Sequence, residues 1–318
     1  MKKYTFTEKK DTRSGFGAGL AEAGRADERV VALTADLKGS LKMDEFAAEF
    51  PERFIQCGIA EANMVGAAAG LAITGKIPFV GSFAEFITGR VYDQIRQELG
   101  YGHTNVKIAS SHAGLTLGED GATHQTMEDV ALMRAIPGMV VINPCDYNQT
   151  KAATIAAAKY YGPVYLRFGR PSWPVFTDPS EPFEIGKAYV MNEGKDVTII
   201  ASGHLVWEAI QAAEALEAQG ISAEVINLAT IKPLDEEAIV RSAEKTRAIV
   251  VAEEHNSAGG IGELIAGVLA AKCPTPMEFI NGKDRFGQSG KPLELLKAYG
   301  IDADHIVEAA HKVIGRKK

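Results

Sequence analysis

Cysteine is scarce in this 318-residue chain, occurring only as Cys57, Cys145 and Cys273. An odd number with no CxxC spacing offers neither a disulfide framework nor a zinc site and suits a reducing compartment. All three read as ordinary interior thiols. Runs of Lys and Arg are missing apart from the short stretch "GRKK", and the net charge is -7. An acidic surface repels phosphate backbones, which argues against nucleic acid as a partner, while local basic pockets for small phosphates stay open. Long apolar runs are missing too. The most extended, "MVGAAAGLAI", is about half of the roughly 20 residues that span a bilayer, and "MKKYTFTEKK" has no apolar core of a secretory signal. A cytoplasmic protein with no membrane attachment is expected.

What is present points to a folded α/β protein. Hydrophobic residues make up 46% and charged residues 24%, a globular balance, and the length favours two domains. Short Val- and Ile-rich runs alternate with Ala-rich helical patterns: "VVALTADL", "IPFVGSF", "VKIASS", "MVVINP", "VYLRFG", then "DVTIIASG", "AEVINLA" and "AIVVAEE". Strands alternating with helices in this way predict parallel sheets covered on both faces. Between the two groups, a proline-rich stretch with little helical periodicity places a domain boundary near residue 185, giving 1–185 and 186–318. The second block restarts with a strand and then a helix over residues 206–220, expected to end at Gly220 as a C-cap.

Ligands of open parallel sheets collect at the carboxyl ends of the strands. Asp36, Ser82, His112, Asn143 and Arg170 each follow or end a predicted strand. Any one alone reads as a helix cap or a solvated loop residue; together they converge on one edge. Glu61 leads a helix of small residues, with an apolar run before it and the aromatic cluster "GSFAEFITGRVY" after it. A carboxylate in a first helical turn is favourable to the helix dipole without further purpose. Aromatic surroundings would also hold it against a flat heterocycle, where a hydrogen bond to a ring nitrogen is strong.

Taken in order, "TADLKGS", "GIAEANM", "GSFAEF", "HAGLTLGEDGATHQ" and "GPVYLRFGRP" resemble the pyrimidine-binding domain of transketolases. The second block, with "INLATIKPLDEEAI" and "VVAEEH", resembles their C-terminal domain. The resemblance covers nearly the whole chain and implies a thiamine diphosphate fold of two doubly wound α/β domains, the second the smaller. It implies transfer of a two-carbon ketol unit from a ketose phosphate to an aldose phosphate. In that family a separate domain holds magnesium through a Gly-Asp-Gly motif with a downstream Asn. Here "GEDG" at 118–121 followed by Asn143 is a decoy, because Glu119 replaces the first glycine of such a triplet. No metal ligand is therefore assigned in this chain. The expectation is the C-terminal subunit of a split transketolase, with a separate N-terminal subunit holding the magnesium and diphosphate, most simply two copies of each chain.

The resemblance also implies roles for particular residues. Glu61 matches the glutamate that hydrogen-bonds the aminopyrimidine ring, and Phe83 and Phe86 match the aromatics lining its pocket. Gly89 and Tyr92 occupy the region of a further family aromatic. Asp36 matches a carboxylate near the cofactor at the subunit interface. Asp120 corresponds to a group accepting a donor hydroxyl, and His124 to one contacting the reacting hydroxyl and carbonyl. Arg13, Ser40, His112 and Arg170 match positions that bind the terminal phosphate of a sugar phosphate. Glu119 and Glu128 are expected to be structural or solvated, and His103, His204, His255 and His305 to be surface or packing residues. Three rivals remain open: a 1-deoxy-xylulose-5-phosphate synthase-like enzyme, a 2-oxo acid dehydrogenase beta-subunit-like enzyme, and a non-catalytic partner chain. The phosphate set argues against a 2-oxo acid substrate.

Overall fold

The computed structural model describes residues 3–317. Strand β1 (Lys9–Asp11) leads into a long helix, Thr12–Ala26, whose first turn is capped by the Asp11 carboxylate at the Ser14 N–H. There follow β2 (Val30–Thr34), β3 (Phe54–Gln56), β4 (Ile77–Phe83), β5 (Lys107–Ser111), β6 (Val140–Ile142), β7 (Val164–Arg167) and β8 (Ser172–Pro174). Every residue of β2 and β4 is buried, as near-continuous apolar runs require when helices cover both faces of a parallel sheet. The second block contributes β9 (Tyr189–Asn192), β10 (Val197–Ala201), β11 (Ala223–Asn227), β12 (Thr230–Lys232), β13 (Ile249–Ala252) and β14 (Met277–Ile280). Each Val- and Ile-rich run of the sequence supplies one of these strands.

Two main sheets result. The first is seven-stranded in the order β12-β6-β7-β5-β4-β2-β3, and the second is five-stranded in the order β14-β13-β10-β11-β9. From β6 to β3 the first sheet is parallel throughout, so the carboxyl ends of β2, β4, β5 and β7 open on one edge. The two sheets are joined more closely than a flexible linker would allow. Strand β12, from the second block, adds antiparallel to β6, and one apolar cluster runs from Met133 and Ile136 through Ile200, Ile226 and Ile231 to Ile261. At the same junction Asp129 accepts from Arg167 (2.7 Å) and from Tyr165 (2.6 Å), while Arg167 also donates to the Glu254 carbonyl (2.9 Å). All three side chains are buried, so the pair is affordable only because its hydrogen bonds are satisfied.

Several local readings are corrected. The helix begun at Leu205 ends at Glu217 with Ala218 as its C-cap, and Gly220 takes its positive φ of 80° beyond the cap. Asn143 does not face the open edge, because its backbone is covered by Ala229 and Gly203 of the second block. Of the cysteines only Cys145 is fully interior; Cys57 and Cys273 are half-buried.

His204 bears out its packing role: its ring stacks on Trp173 at 4.6 Å, and burial lowers its pKa from 6.5 to about 3. The unfolded chain therefore binds a proton below pH 6.5 that the folded chain refuses until about pH 3. Folding stability is free of this penalty above 6.5 and falls as the pH drops. At pH 5 the loss is about 2 kcal/mol from this residue, and His204→Phe should remove most of it. Urea midpoints of the two proteins at pH 7.5 and 5 would check this; equal acid losses would contradict it.

Candidate active site at the carboxyl edge of the first sheet

The site is assembled from strand ends and from the loops that follow them. Arg13 is set by the helix Thr12–Ala26, which lies flush on the helix Tyr147–Lys159 because Gly15 and Gly19 carry no side chain; a Cβ at Gly15 would run into the Tyr147 carbonyl. Arg13 Nη1 donates to the Ser40 carbonyl at 3.0 Å, and its Nε lies 3.2 Å from Asp11. Its half-buried position lowers its pKa, with the Asp11 carboxylate opposing that effect.

Phe83 ends β4 and Phe86 follows in the short helix Ala84–Thr88. Their rings stack at 5.5 Å. His112, just past β5, has the left-handed backbone angle φ 61°, and its ring lies on Phe83 at 3.7 Å. A non-glycine residue held in this region is uncommon and clusters at functional sites. His124 completes the group, edge-on to Phe86 at 5.3 Å and to Phe83 at 6.5 Å. The loop that carries it is pinned from the second domain: Gln125 Nε2 donates to the Leu115 and Gln288 carbonyls, and the Thr116 N–H donates to the Glu254 carboxylate. Gly114, at φ 80°, packs directly on Glu254, where any side chain would collide.

Electrostatics adjust the expected phosphate set. Burial, and then the charges of Arg13, Arg170 and His124, pushes the His112 pKa down to about 3. The imidazole is therefore neutral at physiological pH in this structure and can offer a hydrogen bond but no charge. Its Nδ1 is 2.8 Å from Ser111 Oγ, so Nε2 is the nitrogen left for a ligand. Arg170 Nη1 donates to the Leu117 carbonyl and to Glu119, both at 2.9 Å. Glu119 is thus not merely solvated: its own backbone N–H and Arg170 hold its carboxyl below the usual range. No sequence pattern announced this pair.

Glu61 opens the helix Glu61–Ile73 and is only 6% exposed. One of its oxygens is 3.5 Å from Arg90 Nη1; the other has no hydrogen-bond partner among the described residues. A carboxylate with one oxygen toward Arg90, which itself lies over the Phe86 ring, and the other oxygen open to accept fits a flat ring bearing a donor, as the aminopyrimidine of thiamine diphosphate does. Arg90 went unnoticed in the sequence; it stands in the turn just past the helix Ala84–Thr88 and folds back over Phe86. Asp36 and Asp120 are exposed and do not join the cluster. The Asp36 N–H donates to Gln56 Oε1 at 2.7 Å with the residue at φ 61°. Among the described residues no group of three or more His, Cys, Asp or Glu side chains is placed to hold a metal ion. No helix among them is long and apolar enough to cross a membrane.

Comparison with known proteins gives the same picture along the chain. Residues 8–175 match the model of the transketolase pyrimidine binding domain, and residues 186–306 match that of the transketolase C-terminal domain. The chain is 48% identical over 302 residues to a Methanocaldococcus jannaschii protein named as a transketolase C-terminal section, covering 94% of this chain and 95% of that one. It is 45% identical over 298 residues to the 6-deoxy-6-sulfo-D-fructose transketolase subunit of a Clostridium species, covering 94% and 92%. Human transketolase is 38% identical over 98% of this chain, which spans only 50% of the human protein. Among solved structures, a split gene transketolase described as an inactive beta4 tetramer superposes with a TM-score of 0.90 at 44% identity, covering 97% of this chain and 99% of that one. With both domain models matched in order and nine-tenths or more of two transketolase sections aligned, the chain belongs to the transketolase family.

Proposed function

We infer that this chain is the C-terminal subunit of a thiamine diphosphate-dependent transketolase, moving a two-carbon ketol unit between a ketose phosphate and an aldose phosphate. The observation that carries the reading is His112, whose ring lies on Phe83 at 3.7 Å and which is close enough to Arg13 and Arg170 for their charges to act on it. One residue thereby joins a place for a flat ring to a place for an anion. That is the layout needed by a substrate with a reacting carbonyl at one end and a phosphate at the other. It speaks against 2-oxo acids, which carry no terminal phosphate.

Thiamine diphosphate, when bound, would supply the nucleophilic carbon for the ketose carbonyl and the electron sink for the C–C bond broken beside it. This chain's residues do the rest. Glu61 holds a proton against the ring nitrogen, and Phe83 and Phe86 cover the ring and exclude water. His124, at the rim, reaches the reacting hydroxyl and carbonyl, and Asp120 accepts from a donor hydroxyl. Arg13, Arg170, the Ser40 hydroxyl and neutral His112 take the terminal phosphate, with bound phosphate replacing Glu119 on Arg170. Asp36 belongs to the interface with a further subunit. That partner, an N-terminal transketolase subunit, holds magnesium and the diphosphate; two copies of each chain satisfy a twofold arrangement. The inactivity of the split-gene relative as four beta chains supports the need for a second kind of chain. We divide the present chain at 1–185 and 186–318 and place it in the cytoplasm, a compartment that suits its free cysteines.

The anion site provides the test. Removing one charged or strongly polar partner from a bound phosphate costs about 1.5–3 kcal/mol, roughly 10- to 150-fold in kcat/KM. Arg170→Ala and His112→Ala should lose that much on phosphorylated sugars. An unphosphorylated analogue such as erythrulose never made the contact and should change much less. The comparison is made within each variant, so general damage to folding cancels. Equal losses on both substrate types would sink the phosphate assignment.

A further inference from the structure

The surroundings of Glu61 have a side that no aromatic residue provides. Gly89 has no side chain, and Tyr92, half-buried, packs on the apolar cluster beneath and makes no ring contact with Phe83 or Phe86 among the described residues. Arg90 stands there instead. Its guanidinium lies over the Phe86 ring at 4.2 Å, and its Nη1 is 3.5 Å from Glu61 Oε1. The two contacts need different properties of one side chain. The flat, delocalised face suits stacking on an aromatic ring, and the positive charge suits a carboxylate that is almost entirely out of water. Arg90 itself is 55% exposed at its side chain against 7% for Glu61, so it covers the buried acid from the solvent side.

Building on the thiamine diphosphate reading above, we propose that Arg90 is a positioning residue that closes the third side of the aminopyrimidine pocket and holds the Glu61 carboxylate in register for the ring nitrogen. Its planar face continues the stack formed by Phe83 and Phe86, and its charge fixes one carboxylate oxygen so that the other meets the ring. Without that anchor the Glu61 side chain would have to be ordered by the cofactor itself, and the binding energy would be reduced accordingly.

The test uses the complex reconstituted with the N-terminal subunit, and the primary readout is the dissociation constant of thiamine diphosphate in the presence of magnesium, measured by calorimetry. Arg90→Met, which keeps length and apolar bulk, should weaken cofactor binding about 10-fold, and Arg90→Lys, which keeps charge but not the flat face, about 3-fold. If the arginine acts through the carboxylate, the two effects are not additive. In a Glu61→Gln background, Arg90→Met should then change the dissociation constant by no more than about twofold. A second readout is the circular dichroism signature of the bound pyrimidine tautomer, which should weaken in Arg90→Met even at saturating cofactor. Unchanged affinity and signature in Arg90→Met would overturn the role while the cofactor reading stood. Full additivity with Glu61→Gln would overturn it as well, reducing Arg90 to a general packing contact. Failure of the unsubstituted complex to bind thiamine diphosphate would overturn both.

Discussion

Purified alone and supplied with magnesium and thiamine diphosphate, this chain is expected to show no ketol transfer and only weak cofactor binding. On the proposed reading its residues serve the cofactor ring and the substrate anion, and among the described residues no group of three or more His, Cys, Asp or Glu is placed to hold a metal ion. Magnesium bound to phosphates needs oxygen ligands at fixed octahedral positions, and a cofactor gripped only at its ring is neither anchored nor aimed. Loss of orientation at the reacting carbon alone accounts for a deficit of more than about 10³-fold relative to the complete assembly. Adding the N-terminal subunit should restore turnover and tight cofactor binding together. The rise should saturate at one added chain per chain, with light scattering reporting a particle of two copies of each. Robust turnover by the isolated chain would falsify the split-subunit reading.

The second large effect belongs to Glu61. Glu61→Gln keeps the shape of the side chain and its place at the start of the helix, but a neutral amide cannot share a proton with the ring nitrogen. Loss of a positioned acid–base group lowers rates by about 10²–10⁴-fold. The direct assay is proton exchange at the thiazolium carbon in the reconstituted complex, read with cofactor at saturation. A carboxylate that merely favours a helix N-terminus contributes about 0.3–1 kcal/mol to stability and nothing to exchange. The two roles thus predict different observables: a small shift in unfolding midpoint with normal exchange for the structural role, a collapse of exchange in a folded protein for the catalytic one. Near-normal exchange would leave Glu61 as a helix-start residue only.

Local pattern was enough for the scaffold. Runs such as Val30–Thr34 and Ile77–Phe83 read as strands because a parallel sheet buries both faces and so needs continuous apolar segments. Their order, broken near residue 185, announced two α/β units, and the carboxyl ends of the parallel strands are where the rule for open sheets looks for a ligand. Glu61 at a helix start beside an aromatic cluster was also legible locally, while the roles given to Glu61, Phe83 and Phe86 came from the resemblance to transketolases. What escaped was made by contacts through space. Strand β12 is only three residues long, and nothing in "TIK" says that it leaves its own block to pair with β6. That pairing draws Ala229 over Asn143 and takes one strand end out of the open edge. The Arg170–Glu119 pair spans 51 residues and the Arg90–Glu61 pair 29, beyond any helical or strand period. The neutral state of His112 likewise depends on burial and on two arginines brought from opposite ends of the first domain. Periodicity determines which residues face a core, because it reflects the geometry of a single element. Charge pairing and desolvation arise between elements, so only the tertiary structure decided which of the chain's polar residues share one site.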